Sequence, residues 1–216
     1  ALIANLAAAN EFQASHLDND ISKEIINSMQ IYYSAGFFLT VAPDAFQKVA
    51  QHCVANKKTV AVNLSAPFIV EFFKDPLAMA IEYADYVFGN ETEAETYARV
   101  HGFETTDLKA LALIVSALPK KSKEQPRTVI FTQGYKATIV ACNGIVTEYP
   151  IDDALAKEDI TDTNGAGDAF CGGFLAQLVL GSTNVKDAVM AGHWAARYII
   201  QVPGTTLNGP CEYYIK

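Results

Sequence analysis

No stretch of this chain stays apolar for the ~20 residues that a membrane-spanning helix requires. No basic flank followed by a small-residue cleavage site marks its start, so no secretory leader is read there. Cysteine is sparse, with four in 216 residues. Cys53, Cys142, Cys171 and Cys211 show no CxxC spacing, and each lies in or beside an apolar segment. Buried free thiols in a reducing compartment are therefore expected, which points to the cytoplasm and leaves the nucleus open. His16, His52, His101 and His193 fall in no HExxH or paired-ligand spacing, so no structural zinc site is expected. Positive charge is short as well: 16 Lys and Arg against 24 Asp and Glu give a net charge of −8. That balance argues against broad binding to nucleic acid or to an anionic membrane. A phosphorylated ligand would need local backbone amides, a metal or a few cations.

What is present fits a globular protein. Half of the residues are hydrophobic and 19% are charged, the balance of a chain that buries a core. Runs rich in β-branched and aromatic residues predict strands over Ile31–Leu39, Thr59–Leu64, Asp85–Phe88 and Thr128–Thr132. Between them, helical spacing predicts Pro43–Ala55, two short helices within Pro67–Tyr83 broken at Asp75-Pro76, Glu91–His101 and Asp107–Leu118. Strands alternating with helices imply right-handed crossovers and a parallel sheet covered on both faces. Asn143-Gly144, flanked by Ala137–Cys142 and Ile145–Tyr149, predicts a hairpin that finishes one edge of the sheet. Two helices, Gly165–Leu180 and Asn184–Gln201, close the chain. With no repeat or linker, a single α/β domain is expected.

In open α/β sheets, ligands bind beyond the carboxyl ends of the parallel strands. Those ends carry Phe38-Leu39-Thr40, Asn63-Leu64-Ser65, Gly89–Glu93 and Thr132-Gln133-Gly134. Small, polar and amide residues gather there. The densest chemistry lies further on, in Asp162-Thr163-Asn164-Gly165-Ala166-Gly167-Asp168, which runs into an apolar helix. This order sets free backbone amides and one carboxylate at a helix N-terminus, which attracts anions. A carboxylate repels phosphate, so its place beside an anion site points to phosphoryl transfer, with Asp168 receiving a hydroxyl proton. An ordinary capped helix explains the same residues structurally. A dinucleotide GxGxxG fails at Phe170, and a P-loop fails for want of the Lys.

Asp162–Phe170 followed by Gly172-Gly173-Phe174 closely resembles the C-terminal signature of the ribokinase-like (PfkB) carbohydrate and nucleoside kinases. Leu2–Asn10, Ala35–Val41, Asn63–Phe68, Phe88–Ala94, Ile130–Gly134 and Ala191–His193 are similar to the same family, in order along the whole chain. Asn164 resembles its purine-nucleoside members in particular. The resemblance implies a three-layer, doubly wound, mostly parallel sheet. It also implies transfer of the ATP γ-phosphoryl group to the 5′-hydroxyl of adenosine, giving AMP in purine salvage.

The resemblance makes Asp168 the catalytic base and the Gly165, Ala166 and Gly167 amides an anion hole. Leu2, Leu6, Phe38, Phe68 and Asn164 would bind the nucleoside. Asn90, Thr132, Gly134 and His193 would lie on the ATP side. Locally, Asn90 and Glu93 read as a helix cap; the resemblance adds a Mg²⁺-associated role for Glu93, exerted through water. Asp162 resembles a ligand of a monovalent cation such as K⁺. His193, alone on an apolar helix, reads equally well as packing.

One departure is expected to matter. The chain starts without Met, inside a helical pattern, and lacks the portion that in the family supplies the first strands, a small β lid and the ribose-gripping carboxylate. Residues 1–216 are thus expected to be the C-terminal part of the large α/β domain, weakly active or inactive alone and monomeric when complete. Another sugar or nucleoside kinase of the family, or a non-catalytic nucleotide-binding fragment, remains the alternative.

Overall fold

The computed structural model describes residues 8–205, 207, 209 and 213. Short 3-10 turns at Ala9–Glu11 and Ala14–Asp18 lead into α1 (Asp20–Ser28), β1 (Ile31–Ala35), α2 (Gly36–Leu39) and α3 (Pro43–Ala55). Then follow β2 (Thr59–Asn63), α4 (Pro67–Phe72), α5 (Lys74–Tyr83), β3 (Tyr86–Asn90), α6 (Glu91–His101) and α7 (Leu108–Ala117). The chain continues through β4 (Thr128–Gln133), β5 (Lys136–Cys142), β6 (Ile145–Tyr149), α8 (Ala166–Val179) and α9 (Val185–Ile199). The six strands form one sheet in chain order. β1, β2 and β3 are parallel, with Ala35 opposite Asn63 and Asn63 opposite Phe88. β4 to β6 run antiparallel, as the Asn143-Gly144 hairpin requires. No described helix is long and apolar enough to cross a membrane.

Residue contacts divide the chain into two compact units, Ala1–Phe131 with Val140–Val146, and Thr132–Ile139 with Thr147–Lys216. In the first, Val60, Ala61 and Val62 are consecutive and all buried. Only a strand covered on both faces buries such a run. α3 packs on β2 and α5, and α4 packs on α6. In the second unit α8 lies against α9. The approach is close: a Cβ on Gly173 would sit 2.4 Å from the carbonyl oxygen of Ala191.

Two local expectations are corrected. The first strand ends at Ala35, not Leu39, and Phe37-Phe38-Leu39 form one helical turn. Gly36 causes this, because its N–H donates to Ser65 Oγ at 2.8 Å, off the ladder. Phe38 therefore sits in α2, the helical turn that directly follows β1. The break between α4 and α5 falls at Phe73, not at Asp75-Pro76. Pro76 lies in the first turn of α5, where its missing N–H costs no hydrogen bond. The sequence reading also did not single out α1, which Asn19 caps by accepting from Ser22 N at 2.8 Å.

Candidate functional site

In the second unit, α8 opens on a turn that only a few residue types could make. Its N-cap, Gly165, has φ of 79°, the left-handed region that L side chains disfavour. Asp162 holds the turn. Its Oδ1 accepts from Asn164 N at 2.9 Å and its Oδ2 from Gly204 N at 3.3 Å, tying the entry of α8 to the segment after α9. The amides of Thr161 and Asp162 donate to the Ile200 carbonyl at 2.8 and 3.2 Å and reinforce the tie.

The helix start is left open. Ala166 N donates to the Thr163 carbonyl at 3.3 Å, whereas the amides of Gly165, Gly167 and Asp168 have no acceptor among the described residues. Asn164, Gly167 and Asp168 are exposed. The Asp168 carboxylate makes no hydrogen bond or ion pair among the described residues. Free amides with the positive end of a 14-residue helix behind them attract an anion. A free carboxylate in the first turn can take a proton from a hydroxyl brought against it.

Thr132, Gly134 and His193 belong to the same unit. Thr132 is in the last part of β4, and Gly134, with φ of 57°, turns the chain into β5. His193, on α9, is half-buried; its Nε2 lies 2.8 Å from Thr138 Oγ1 and its ring 5.7 Å from that of Phe170. Burial pushes its pKa down to about 4, against an opposing pull from Asp152, so the ring is neutral near pH 7. Thr138, 1% exposed, is the partner that sequence reasoning missed; its contact spans 55 residues and leaves no local signal.

In the first unit the carboxyl ends of β1, β2 and β3 form an aligned rim. Asn63 Oδ1 accepts from Ser65 N at 3.0 Å, which steadies Ser65 at a φ of 69°. Asn90 and Glu93 make a complete capping box at the start of α6. Glu93 is 5% exposed and both its oxygens accept from Asn90, one from the backbone and one from the side chain. That geometry does not fit direct ligation of a metal, and no group of three His, Cys, Asp or Glu suited to a metal occurs among the described residues. An outer role through water fits a cation that keeps its hydration shell, as Mg²⁺ does.

Aromatics gather beside this rim. Phe38 meets Phe12 edge-on at 5.5 Å, and Phe68 meets Phe37 in the same way at 5.8 Å. Phe68 is 43% exposed, so part of its ring faces outward. Phe12 and Phe37 were not among the expected residues, because their edge-on partners are set by tertiary packing. Leu2 and Leu6 lie outside the described residues.

Comparison with known proteins finds similarity along nearly the whole chain. The model of the pfkB family of carbohydrate kinases matches residues 1–210. Adenosine kinase 1 of Arabidopsis thaliana is 49% identical over 205 residues, covering 95% of this chain and 59% of that protein. The adenosine kinase of Schizosaccharomyces pombe is 43% identical, covering 99% of this chain and 62% of its own length. Among solved structures, Anopheles gambiae adenosine kinase in complex with P1,P4-di(adenosine-5) tetraphosphate superimposes with a TM-score of 0.92 at 41% identity, over 97% of this chain and 61% of that one. Schistosoma mansoni adenosine kinase in complex with 2-fluoroadenosine gives 0.88 at 33% identity, over 94% and 59%. The chain thus spans about three fifths of the length of the relatives it matches. With the family's model covering nearly every residue, the chain belongs to the pfkB family of carbohydrate kinases.

Proposed function

We propose that this chain carries the phosphoryl-transfer half of an adenosine kinase, which moves the γ-phosphoryl group of ATP to the 5′-hydroxyl of adenosine and so serves purine salvage. The observation that supports this most is the pairing of an exposed Asp168, without a partner among the described residues, with the amides of Gly165 and Gly167 left open among them at the start of α8. Similarity to adenosine kinases at 49% and 43% identity favours adenosine as the acceptor.

In this reading the 5′-oxygen forms a bond to the γ-phosphorus as the bond to the β–γ bridging oxygen breaks, and ADP leaves. The hydroxyl proton passes to Asp168. The transition state of such a transfer is loose and spreads charge over three equatorial oxygens, so proton removal is late. Asp168 therefore acts first by aligning the hydroxyl and then as base. The Gly165–Gly167 segment stabilises the equatorial charge with donors already in place. Of the first unit, Phe38 and Phe68 serve the nucleoside and Asn90 the nucleotide; of the second, Asn164 serves the nucleoside and Thr132 and Gly134 the nucleotide.

Glu93, held by Asn90, would help to hold Mg²⁺ through water, and the ion would supply charge to offset the ATP phosphates. His193 stays neutral and packs beneath the nucleotide side, fixed by Thr138. Asp162 spends one lone pair of each oxygen on the turn and keeps the others for a monovalent cation such as K⁺. The setting is the cytoplasm or nucleus, and the complete protein acts as a monomer on small-molecule substrates, without nucleic acid or membrane.

The test is ATP-dependent AMP formation from adenosine by a complete enzyme that includes this chain, with Asp168→Asn as the diagnostic variant. Loss of a positioned base lowers turnover by ~10²–10⁴-fold, while calorimetry should show ATP binding nearly unchanged. Wild-type turnover in Asp168→Asn would end the assignment. Comparing adenosine, guanosine and ribose as acceptors separates this reading from another kinase of the family.

A further inference from the structure

Well away in sequence from the α8 turn, the first unit contains a cleft of about 660 Å³ between α7, the strap that follows it and the β5–β6 hairpin. Its lining includes Lys120, Lys123 and Arg127, and no Asp or Glu among the described residues. In a chain with a net charge of −8, that local excess of cations is unusual.

The three cations play different parts. Arg127 is 2% exposed and spends all five N–H donors on backbone carbonyls, those of Ile81, Ala84, Val115, Leu118 and Pro119, at 2.7–3.2 Å. Neutral carbonyls satisfy its donors, and the nearby carboxylates of Asp85 and Glu82 act on its charge, so it is a structural cation and not a free one. Lys120 is neutralised by the buried Asp85, whose Oδ1 lies 2.5 Å from its Nζ. Lys123 is exposed and has no ion pair among the described residues. Two acids that could compete are occupied elsewhere, Glu124 by Lys57 at 3.5 Å and Glu82 by Lys121 at 2.9 Å.

Donors free to turn toward a ligand sit at the same mouth. Ser122 Oγ accepts from Glu124 N at 3.4 Å, which leaves its O–H to donate. Asn143, exposed at the hairpin tip, offers its side-chain amide. Leu113, Ala117 and Pro126 add an apolar wall. The volume lies within the ~300–1,000 Å³ range of small-molecule sites.

We propose that this cleft is a second ligand site, separate from the α8 turn, that binds a small organic phosphate. Lys123, Ser122 and Asn143 contact the phosphate, with Lys123 supplying the charge that pairs with it. The apolar wall accepts the organic part.

Pyrophosphate is the probe, titrated into ¹⁵N-labelled protein at constant ionic strength. The expected result is saturable movement of the amide signals of Ser122–Gln125 and of Asn143 and Gly144, absent with matched sodium chloride. Asn143→Asp, a residue type that tolerates the left-handed turn, combined with Lys123→Glu, should weaken this binding at least tenfold. The milder Lys123→Gln should weaken it less, with the urea midpoint of each variant confirming the fold. Shifts confined to Gly165–Asp168, no saturable shift, or equal binding by the double variant would each overturn the proposal.

Discussion

Asn90 and Glu93 hold each other through three hydrogen bonds of 2.9 Å, two from backbone amides and one between side chains. The helix start, the strand end and a buried carboxylate are thereby fixed as one piece. Glu93 is 5% exposed, and a buried carboxylate without partners would be costly. The cap is what allows an acid to stand at the rim of the sheet.

Asn90→Ala removes an N-cap acceptor and one donor to Glu93. A stability loss of ~0.5–2 kcal/mol is expected from the cap alone, read as a lower urea midpoint at an unchanged m-value. If Glu93 also orients the waters of a nucleotide-bound cation, the same variant raises the KM for ATP more than it lowers kcat. A purely structural cap would leave that KM where it was.

Arg127 is expected to be irreplaceable by Lys. Its planar fork reaches five carbonyls on two stretches of chain, whereas an ammonium has three donors and no fork. Arg127→Lys leaves buried carbonyls unpaired at ~1–3 kcal/mol each. Chemical denaturation should show Arg127→Lys destabilised by more than about 3 kcal/mol, in the range for breaking a buried charged network. A near-neutral result would mean that water enters and pairs those carbonyls.

These two features show which parts of the fold the sequence discloses. Pro43–Ala55 and Glu91–His101 match their helices residue for residue, because Pro, Asn and Glu signal helix starts within a few positions. The hairpin is equally local: Asn143 and Gly144 take φ of 50° and 76°, as a primed turn demands. The turn at Gly36 was hidden, since its cause is Ser65, 29 residues away. Phe37-Phe38-Leu39 is apolar whether it continues a strand or coils into a helical turn. The Arg127 cage likewise gathers carbonyls up to 46 residues distant. At the candidate site, Gly165 to Asp168 were legible as a helix start, but the clamp from Asp162 to Gly204 was not.

His193 should make stability depend on acid. Its folded pKa is lowered from 6.5 to about 4, so between those values the unfolded chain binds more protons than the folded one. The contribution is fully present above 6.5 and is lost as pH falls toward 4. Urea midpoints measured across that window should fall more steeply for wild type than for His193→Asn, which keeps a polar partner for Thr138 but does not titrate. Parallel profiles would show that the ring protonates in place.

Gly165 offers the most selective test of the α8 turn. A Cβ there would stand 2.7 Å from Thr205 Cγ2, on a backbone with φ of 79°. Two costs are therefore superposed in Gly165→Ala: a left-handed residue, at ~1–2 kcal/mol, and a clash with one methyl group. Thr205→Ser removes that methyl and nothing else near the turn. The double variant should regain the steric part and retain the conformational part, giving a favourable coupling in a double-mutant cycle. The same cycle run on kcat separates fold from function. If the open amides of Gly165 and Gly167 stabilise the transferred group, turnover should recover along with stability when Thr205→Ser relieves the clash. Recovery of stability with kcat still depressed would mean that the amides had moved off target while the helix stayed whole.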